Sequence, residues 1–426
     1  MLRRWRRCGL RATSGWALAL LAGVSAVGAA QQAEQAERVP QLRRDEIVAG
    51  SDRERLLIDR YGRRASVPIG VRPFGPLMLD SLFSFEGVAV GEKKQARFRW
   101  APSWSALWFN TQRANYEGAG PVWRGRGATV AASTGFTGRW ALVSYALRPI
   151  AFWSANRPYT PSRTVKPLDF QDPWLAGFID LPYRFGPGGY GRVDMGESYL
   201  RVDTRFLAVG LSNESQVWGP ARRYPLVLGN NAGGFPHVFI ETGTPRPIGI
   251  GRVHARWVAG RLASSSFGPA HVGTSTRMGI GAVGTFMPRG MDGLEIGASR
   301  FFHLYDSPVA RDLESLSLPF SGLLKKYLRN PDAPGPGNYN QVASVFMRIA
   351  PRNSPAELYG EFYREDHSWD KRDLIGEPDH DSAYLIGLVR NWFNEPAGNG
   401  GTLTLEIANS RISHRTQYAD GIQRIS

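Results

Sequence analysis

Two segments near the C-terminus carry the densest titratable chemistry in the chain, REDHSWDKRD from Arg364 and EPDHDSAY from Glu377. Together they supply Asp366, His367, Asp379, His380 and Asp381. Imidazoles beside carboxylates can form an acid/base pair or a weak metal site when two loops that flank one hairpin approach each other. The plainer reading is a solvated polar loop, because no neighbouring motif fixes an imidazole's orientation or shifts a carboxylate. Trp369 lies between the two histidines and adds an aromatic face. Mixed side chains of this kind suit sugar hydroxyls and rings as well as they suit hydrolysis.

Other catalytic patterns are missing or misleading. There is no HExxH, no spaced Cys/His cluster and no phosphate loop ending in Gly-Lys-Ser/Thr. GLSNES from Gly210 lacks the second glycine that a serine nucleophile elbow requires. GIGAVG from Gly279 has the letters of a dinucleotide fingerprint, yet Pro288 and Gly290 follow where a helix must receive the pyrophosphate. It is therefore expected to be a strand. The sequence is read as non-enzymatic, with no cofactor and no metal.

The elements that must position such loops are strands. ARFRWAPSWSALWFN puts Phe98, Trp100, Trp104, Ala106 and Trp108 on one parity, with Arg97, Arg99, Ser103 and Ser105 on the other. GRVDMGESYLRVDT sets Val193, Met195 and Tyr199 against Asp194, Arg201 and Asp203. AELYGEFYRED, SAYLIGLVRNWF and GTLTLEIANSRIS repeat the theme between Gly, Pro, Asn or Asp. Trp100, Trp108, Trp123, Trp140, Trp153 and Trp392 fall near segment ends. Apolar outer faces, polar interiors and aromatic girdles belong to an outer-membrane antiparallel β-barrel. One insertion, PFSGLLKKYLRNP, recurs at helical spacing through Phe320, Leu323, Leu324, Tyr327 and Leu328, with Ser321 as cap, and predicts an amphipathic helix near 320–330. It can plug the barrel, cover a mouth or lie on the membrane surface.

The start of the chain is an export signal. Five arginines by position 11 precede an apolar run from Trp16 to Val27 and the small residues Gly28-Ala29-Ala30. Residues 31–72 are polar, with a capping box at Ser51 and Glu54 that predicts short helices between 41 and 62. The barrel is expected to occupy 73–426. Removing residues 1–30 takes the net charge from +15 to +10, since five arginines and no acidic residue leave. It also removes Cys8, so no disulfide framework remains. Export ranks nucleic acid last among the partners such a charge can bind, so no nucleic-acid partner is expected and anionic lipid or acidic polysaccharide is favoured.

WGPARRYPLVLGNNAGGFPHVFIETGTP, from Trp218 to Pro245, is the most particular stretch of the chain. Trp218-Gly219-Pro220, Pro225 to Leu228, Asn230 to His237, Thr242 and Pro245 resemble the Wzi family of outer-membrane capsule-assembly proteins. GRVHARWVAGRLASSSF from Gly251, FYREDH and EPDHDSAYLIGLVR are similar to that family too. The resemblance implies a barrel of about eighteen strands with periplasmic helices near the N-terminus. It further implies a lectin-like role at the outer membrane, holding capsular or other surface polysaccharide delivered by an export system. Roughly fourteen strand segments can be recognised and the chain ends TQYADGIQRIS without a terminal aromatic, so the last strands are expected to be missing or the barrel smaller. Asp366, His367, Trp369 and His380 are the preferred glycan contacts, with Trp218, Asn231 and His237 second. The Trp218–Pro245 stretch is expected first to be a structured loop folded into or over the barrel. A porin-like channel for small solutes is the alternative function. A hydrolase using Asp366, His367 and His380 ranks last.

Overall fold

A computed structural model describes residues 71–73, 97–111, 114, 120–159, 185–204, 206–229, 231–242, 245–263, 277–291, 293–305, 312–322, 339–351, 354, 356–365, 382–394 and 399–409. The first strands are β1 (Val71–Pro73), β2 (Arg97–Asn110), β3 (Gly127–Trp140), β4 (Val143–Leu147), β5 (Ile150–Ser154), β6 (Tyr190–Asp194), β7 (Tyr199–Asp203) and β8 (Ala208–Ser212). After them come β9 (Gln216–Trp218), β10 (His237–Glu241), β11 (Arg246–Pro247), β12 (Gly251–Leu262), β13 (Arg277–Pro288) and β14 (Leu294–Tyr305). A short helix α1 (Leu313–Ser317) and a 3-10 turn (Leu318–Phe320) precede β15 (Tyr339–Ile349), β16 (Ala356–Glu365), β17 (Ser382–Asn394) and β18 (Asn399–Asn409).

Sixteen of these strands form one sheet, and every pairing between its strands is antiparallel. β4 and β5 lie along β3 as two halves of one broken strand, and β6 and β7 answer them. GIGAVG sits inside β13, paired on both sides. The fingerprint letters are thus strand, as the following proline and glycine imply.

Alternation sorts the side chains into two faces. On β12, His254, Arg256 and Val258 are buried on one face while Ala255 is exposed on the other. β16 buries Glu357, Tyr359 and Glu361 and exposes Leu358 and Phe362. One face therefore hides serines, glutamates and arginines, and the other shows Val238, Ile240, Ile296, Val345, Met347, Ile386 and Leu405 to the surroundings. A soluble sheet does the reverse. The fold is all-β, an antiparallel barrel-type sheet of the outer-membrane kind, with an apolar outer face and a polar inner one. Among the described residues no helix is long and apolar enough to cross a membrane.

The linkers divide by length. At one end of the sheet they are short: two residues join β3 to β4, four join β7 to β8 and five join β13 to β14. At the other end, sixteen residues separate β2 from β3, thirty-five β5 from β6, thirty-three β14 from β15 and sixteen β16 from β17. Outer-membrane barrels have short turns on the periplasmic side and longer loops outside the cell.

Two details depart from a simple parity. β2 contains a bulge, because its register on β3 shifts between Ala101 and Trp104, around Pro102. The extra residue reverses the faces. Phe98 and Trp100 point outward before it, Leu107 and Phe109 after it, and Trp104 and Trp108 turn in to pack on a cluster of Val122, Trp123, Ile150 and Phe152. The uninterrupted parity expected from Phe98 to Trp108 is corrected accordingly. Similarly, the break at Met195–Ser198 sends Val193 and Met195 outward, while Tyr199 is half-buried on the face of Arg201 and Asp203. Trp100, Trp140 and Trp153 are exposed, whereas Trp123 is a core residue. Phe98, Trp100, Phe136 and Tyr145 form a continuous aromatic row near the short-linker end, with ring centroids 5.5–6.4 Å apart. That is the position and composition of an interfacial girdle.

Candidate functional site

Between β8 and β10 the chain leaves the sheet and crosses its inner face. The excursion occupies 213–236 and begins on a buried charged cluster. Ser212 donates its hydroxyl to Glu214 at 2.9 Å, and the Glu214 amide donates back to the Ser212 oxygen. Burial pushes the Glu214 carboxyl up from the ordinary carboxylate value, against the pull of Arg256, the Ser212 hydroxyl and Arg201. Beneath it Glu241 joins two guanidiniums. It accepts from Arg201, whose Nε also reaches Asp203 at 2.7 Å, and from Arg256 at 2.6 Å. Arg256 lies over the Phe239 ring at 4.1 Å.

Farther along, β9 pairs with β1, placing Val71 opposite Trp218. Trp218 has no exposed surface; it packs edge-on against Phe301 at 5.9 Å in a cluster with Phe239, Val258 and Val283. Gly281 makes the seat, because a Cβ there would lie 2.6 Å from the indole. Replacing Gly281 with alanine is expected to destabilise the protein by about 1–3 kcal/mol through overpacking. Urea unfolding in detergent micelles, followed by Trp fluorescence, checks this.

The next residues reach the opposite wall. Gly219 adopts φ +93, and a Cβ there would meet the Glu361 carboxylate at 2.5 Å. Ala221 and Leu226 pack with Tyr359, Leu385 and Val389. Arg222 binds Glu357 at 3.0 Å, and Glu357 is also held by Arg348 at 2.8 Å. Glu406 accepts the amides of Arg222, Arg223 and Tyr224 at 2.8, 3.0 and 2.7 Å, and the Tyr359 hydroxyl at 2.6 Å. Seven residues thus touch inward positions from β13 to β18, and the sheet wraps around them.

What remains accessible is chemically distinct. Arg223 and Tyr224 are exposed, with the guanidinium 5.6 Å from the phenol ring centroid, and Asn231 and Ala232 are exposed farther along. A cation beside an aromatic face can bond uronate carboxylates and stack on a sugar ring, and an exposed amide can bond hydroxyls.

The residues singled out from the sequence are dispersed. Trp218 anchors the excursion. Asn231 is on its surface. His237 is buried at the start of β10, its Nδ1 2.7 Å from the Phe235 carbonyl oxygen. Asp366, His367, Trp369 and His380 lie outside the described residues; Glu365 and Ser382, the strand ends that flank them, are at the long-linker rim. The N-terminal helices also lie outside, as does the helix expected near 320–330 beyond Gly322; of its first residues, Phe320 closes the 3-10 turn, and Ser321 and Gly322 follow it outside any helix. Described just before that helix is α1, whose N-cap Asp312 accepts from the Ser315 amide, and the Ser321 hydroxyl donates to the Leu318 carbonyl. Arg223 and Tyr224 were not among the sequence candidates, although Arg222-Arg223-Tyr224 inside the Trp218–Pro245 stretch was a visible signal. No group of three or more potential metal ligands is present among the described residues.

No protein-family profile matches the sequence, and no curated protein matches it. Among solved structures, one that is similar is Wzi of Escherichia coli, described as an outer-membrane protein involved in group 1 capsule assembly and a carbohydrate-binding β-barrel. It shares 13% identity over 79% of this chain and 61% of that one, with a TM-score of 0.44. Wzi belongs to the family that the Trp218–Pro245 stretch resembles. This chain spans about three fifths of the Wzi structure. Pseudomonas aeruginosa OccK9 shares 10% identity over 75% of this chain and 94% of its own, with a TM-score of 0.26. Acinetobacter baumannii OccAB4 shares 8% over 74% and 94%, with a TM-score of 0.23.

Proposed function

We propose that this protein is a non-enzymatic outer-membrane barrel that binds acidic capsular or surface polysaccharide and helps attach or assemble it at the cell surface. The observation that carries this reading is the excursion across the inner face. Its contacts with inward residues of β13 to β18 favour a filled interior over an open channel, and it exposes Arg223, Tyr224 and Asn231. The linker lengths support an orientation with short turns toward the periplasm and long loops outside, in which Glu365 and Ser382 face the cell surface. A polysaccharide export system in the periplasm then supplies the glycan.

Purified protein in detergent is expected to retain an acidic polysaccharide at low salt and to release it near 1 M, where the screening length falls to about 3 Å. A neutral polysaccharide is expected to bind at least ~10-fold more weakly, the equivalent of about 1.4 kcal/mol. Arg223→Glu is expected to weaken acidic binding by a similar factor. Equal retention of the two polymers at every salt concentration would remove the acidic-glycan role. Large conductance of the wild-type protein in a planar bilayer would favour the channel instead.

A further inference from the structure

The strand register orders the outer face into rows. On β17, Tyr384, Ile386 and Leu388 point outward and are exposed, with Ser382 beyond them toward the long linkers and Arg390 toward the short ones. From Ser382 to Arg390 is about 27 Å at ~3.4 Å per residue. At a strand tilt of ~40° that is about 21 Å along the membrane normal, close to the ~25 Å apolar band of an outer-membrane barrel. The Tyr384 row continues across the sheet through Phe362, Val345, Ala298, Gly284 and Ala255. The Ser382 row continues through Arg364, Ala343, Arg300, Ala282 and Trp257. Two arginines and a tryptophan on one row mark the edge of the band.

One row nearer the long linkers the outer face turns apolar again, through Ala259, Ile280 and Phe302, and there it is covered. α1 and the 3-10 turn lie across it as a strap, with Leu318 packed on these three residues and on Leu304. The Trp257 indole donates to the Leu316 carbonyl at 3.1 Å. Arg300, only 6% exposed, donates to the carbonyls of Leu318, Ser321 and Gly322 at 3.3, 2.8 and 3.0 Å, and its Nε bonds Gln341. Lipid tails are as apolar as leucine, so a patch inside the hydrocarbon needs no cover, whereas one outside it does. The strap's own surface is divided. Glu314 and Ser317 are exposed, yet so are Leu313 and Phe320 at its two ends, at 84% and 71%. Pro319 and Phe320 overhang the apolar rows, lining one depression with Ala298, Val345 and Phe362.

We propose that the Leu313–Phe320 strap lies in the boundary between hydrocarbon and water, with Leu313 and Phe320 in bilayer lipid and Glu314 and Ser317 toward the headgroups. Lipid is the occupant because Phe320 continues the apolar outer face without a break, and because the row beneath the strap is where the band read independently from β17 ends. The proposal rests on the membrane-barrel fold and not on polysaccharide binding. The strand ends beyond the strap then stand clear of the hydrocarbon.

The test uses full-length protein carrying Cys8→Ser and one engineered cysteine, labelled with bimane and reconstituted in phosphatidylcholine vesicles. The vesicles contain a phosphatidylcholine spin-labelled either near its headgroup or near the end of its acyl chain. Labels at Leu313→Cys and Phe320→Cys are expected to be quenched at least ~2-fold more by the shallow spin label than by the deep one. A label at Ile386→Cys, in the middle of the band, is expected to show the reverse, and one at Glu365→Cys to be quenched by aqueous iodide. All four positions are exposed, and heat-modifiable gel migration verifies that each variant folds. Iodide quenching at either end of the strap equal to that at Glu365→Cys, or stronger quenching there by the deep label than by the shallow one, overturns the assignment. Absence of lipid quenching at Ile386→Cys would instead overturn the membrane-barrel fold beneath it.

Discussion

Glu241→Gln is expected to cost about 3–5 kcal/mol, because it removes the carboxylate that Arg201 and Arg256 share in a buried ionic network. Glu241 bridges Arg201 and Arg256, and all three are less than a tenth exposed. Asp203 can still neutralise Arg201. Arg256 loses the carboxylate it is bonded to and is left facing His237, His254 and the root of the excursion. The same cluster seats Glu214, so the loss extends from the wall to the segment crossing it. Urea midpoints of micelle-refolded protein report the cost. An Arg201→Met/Asp203→Leu/Glu214→Gln/Glu241→Met/Arg256→Met variant, which removes every charge of the cluster, is expected to recover much of it, since replacing a whole buried network with apolar side chains is often neutral. A single-site loss below about 1 kcal/mol, the range of an exposed pair, would show that water reaches the network.

The second large effect concerns the far anchor. Glu357→Gln/Glu406→Gln is expected to release the excursion at Arg222–Tyr224, because Glu406 alone accepts three successive backbone amides and a tyrosine hydroxyl. Hydrogen bonds to a charged acceptor are worth about 1.5–3 kcal/mol each, and Arg222 also loses its buried carboxylate. Trypsin is expected to cut at Arg222 or Arg223 in the variant and not in wild type. Single-channel conductance is expected to appear together with that cleavage site. If both remain absent, the apolar seat of Trp218, Ala221 and Leu226 is sufficient to hold the segment.

These two sites show what reading the chain alone could and could not reach. GIGAVG was legible as strand because Pro288 and Gly290 exclude a following helix, and β13 is paired throughout it. The outward set on β16 and β17 follows from strict alternation. β2 resisted the same rule. One extra residue near Pro102 exchanges inside for outside, and nothing in composition marks where a register slips. The Trp218–Pro245 stretch was legible as a structured loop lying into or over the barrel; its first part lies on the inner face and its His237–Glu241 part is wall strand β10, while the partners that hold it, Glu357 and Glu406, stand more than 130 positions away.

Sequence determined the strand period, the polar-against-apolar division of faces and the dense turn chemistry of the excursion, because each depends on residues within a few positions of one another. Tertiary structure decided which tryptophans are girdle and which are core, that Trp218 is an anchor, that Arg223 and Tyr224 are the accessible pair, and that the Leu313–Phe320 strap lies outside the wall. Those outcomes depend on sheet curvature and on pairings between distant strands. A side chain's exposure is a property of what the rest of the chain brings against it, and local pattern does not contain that information.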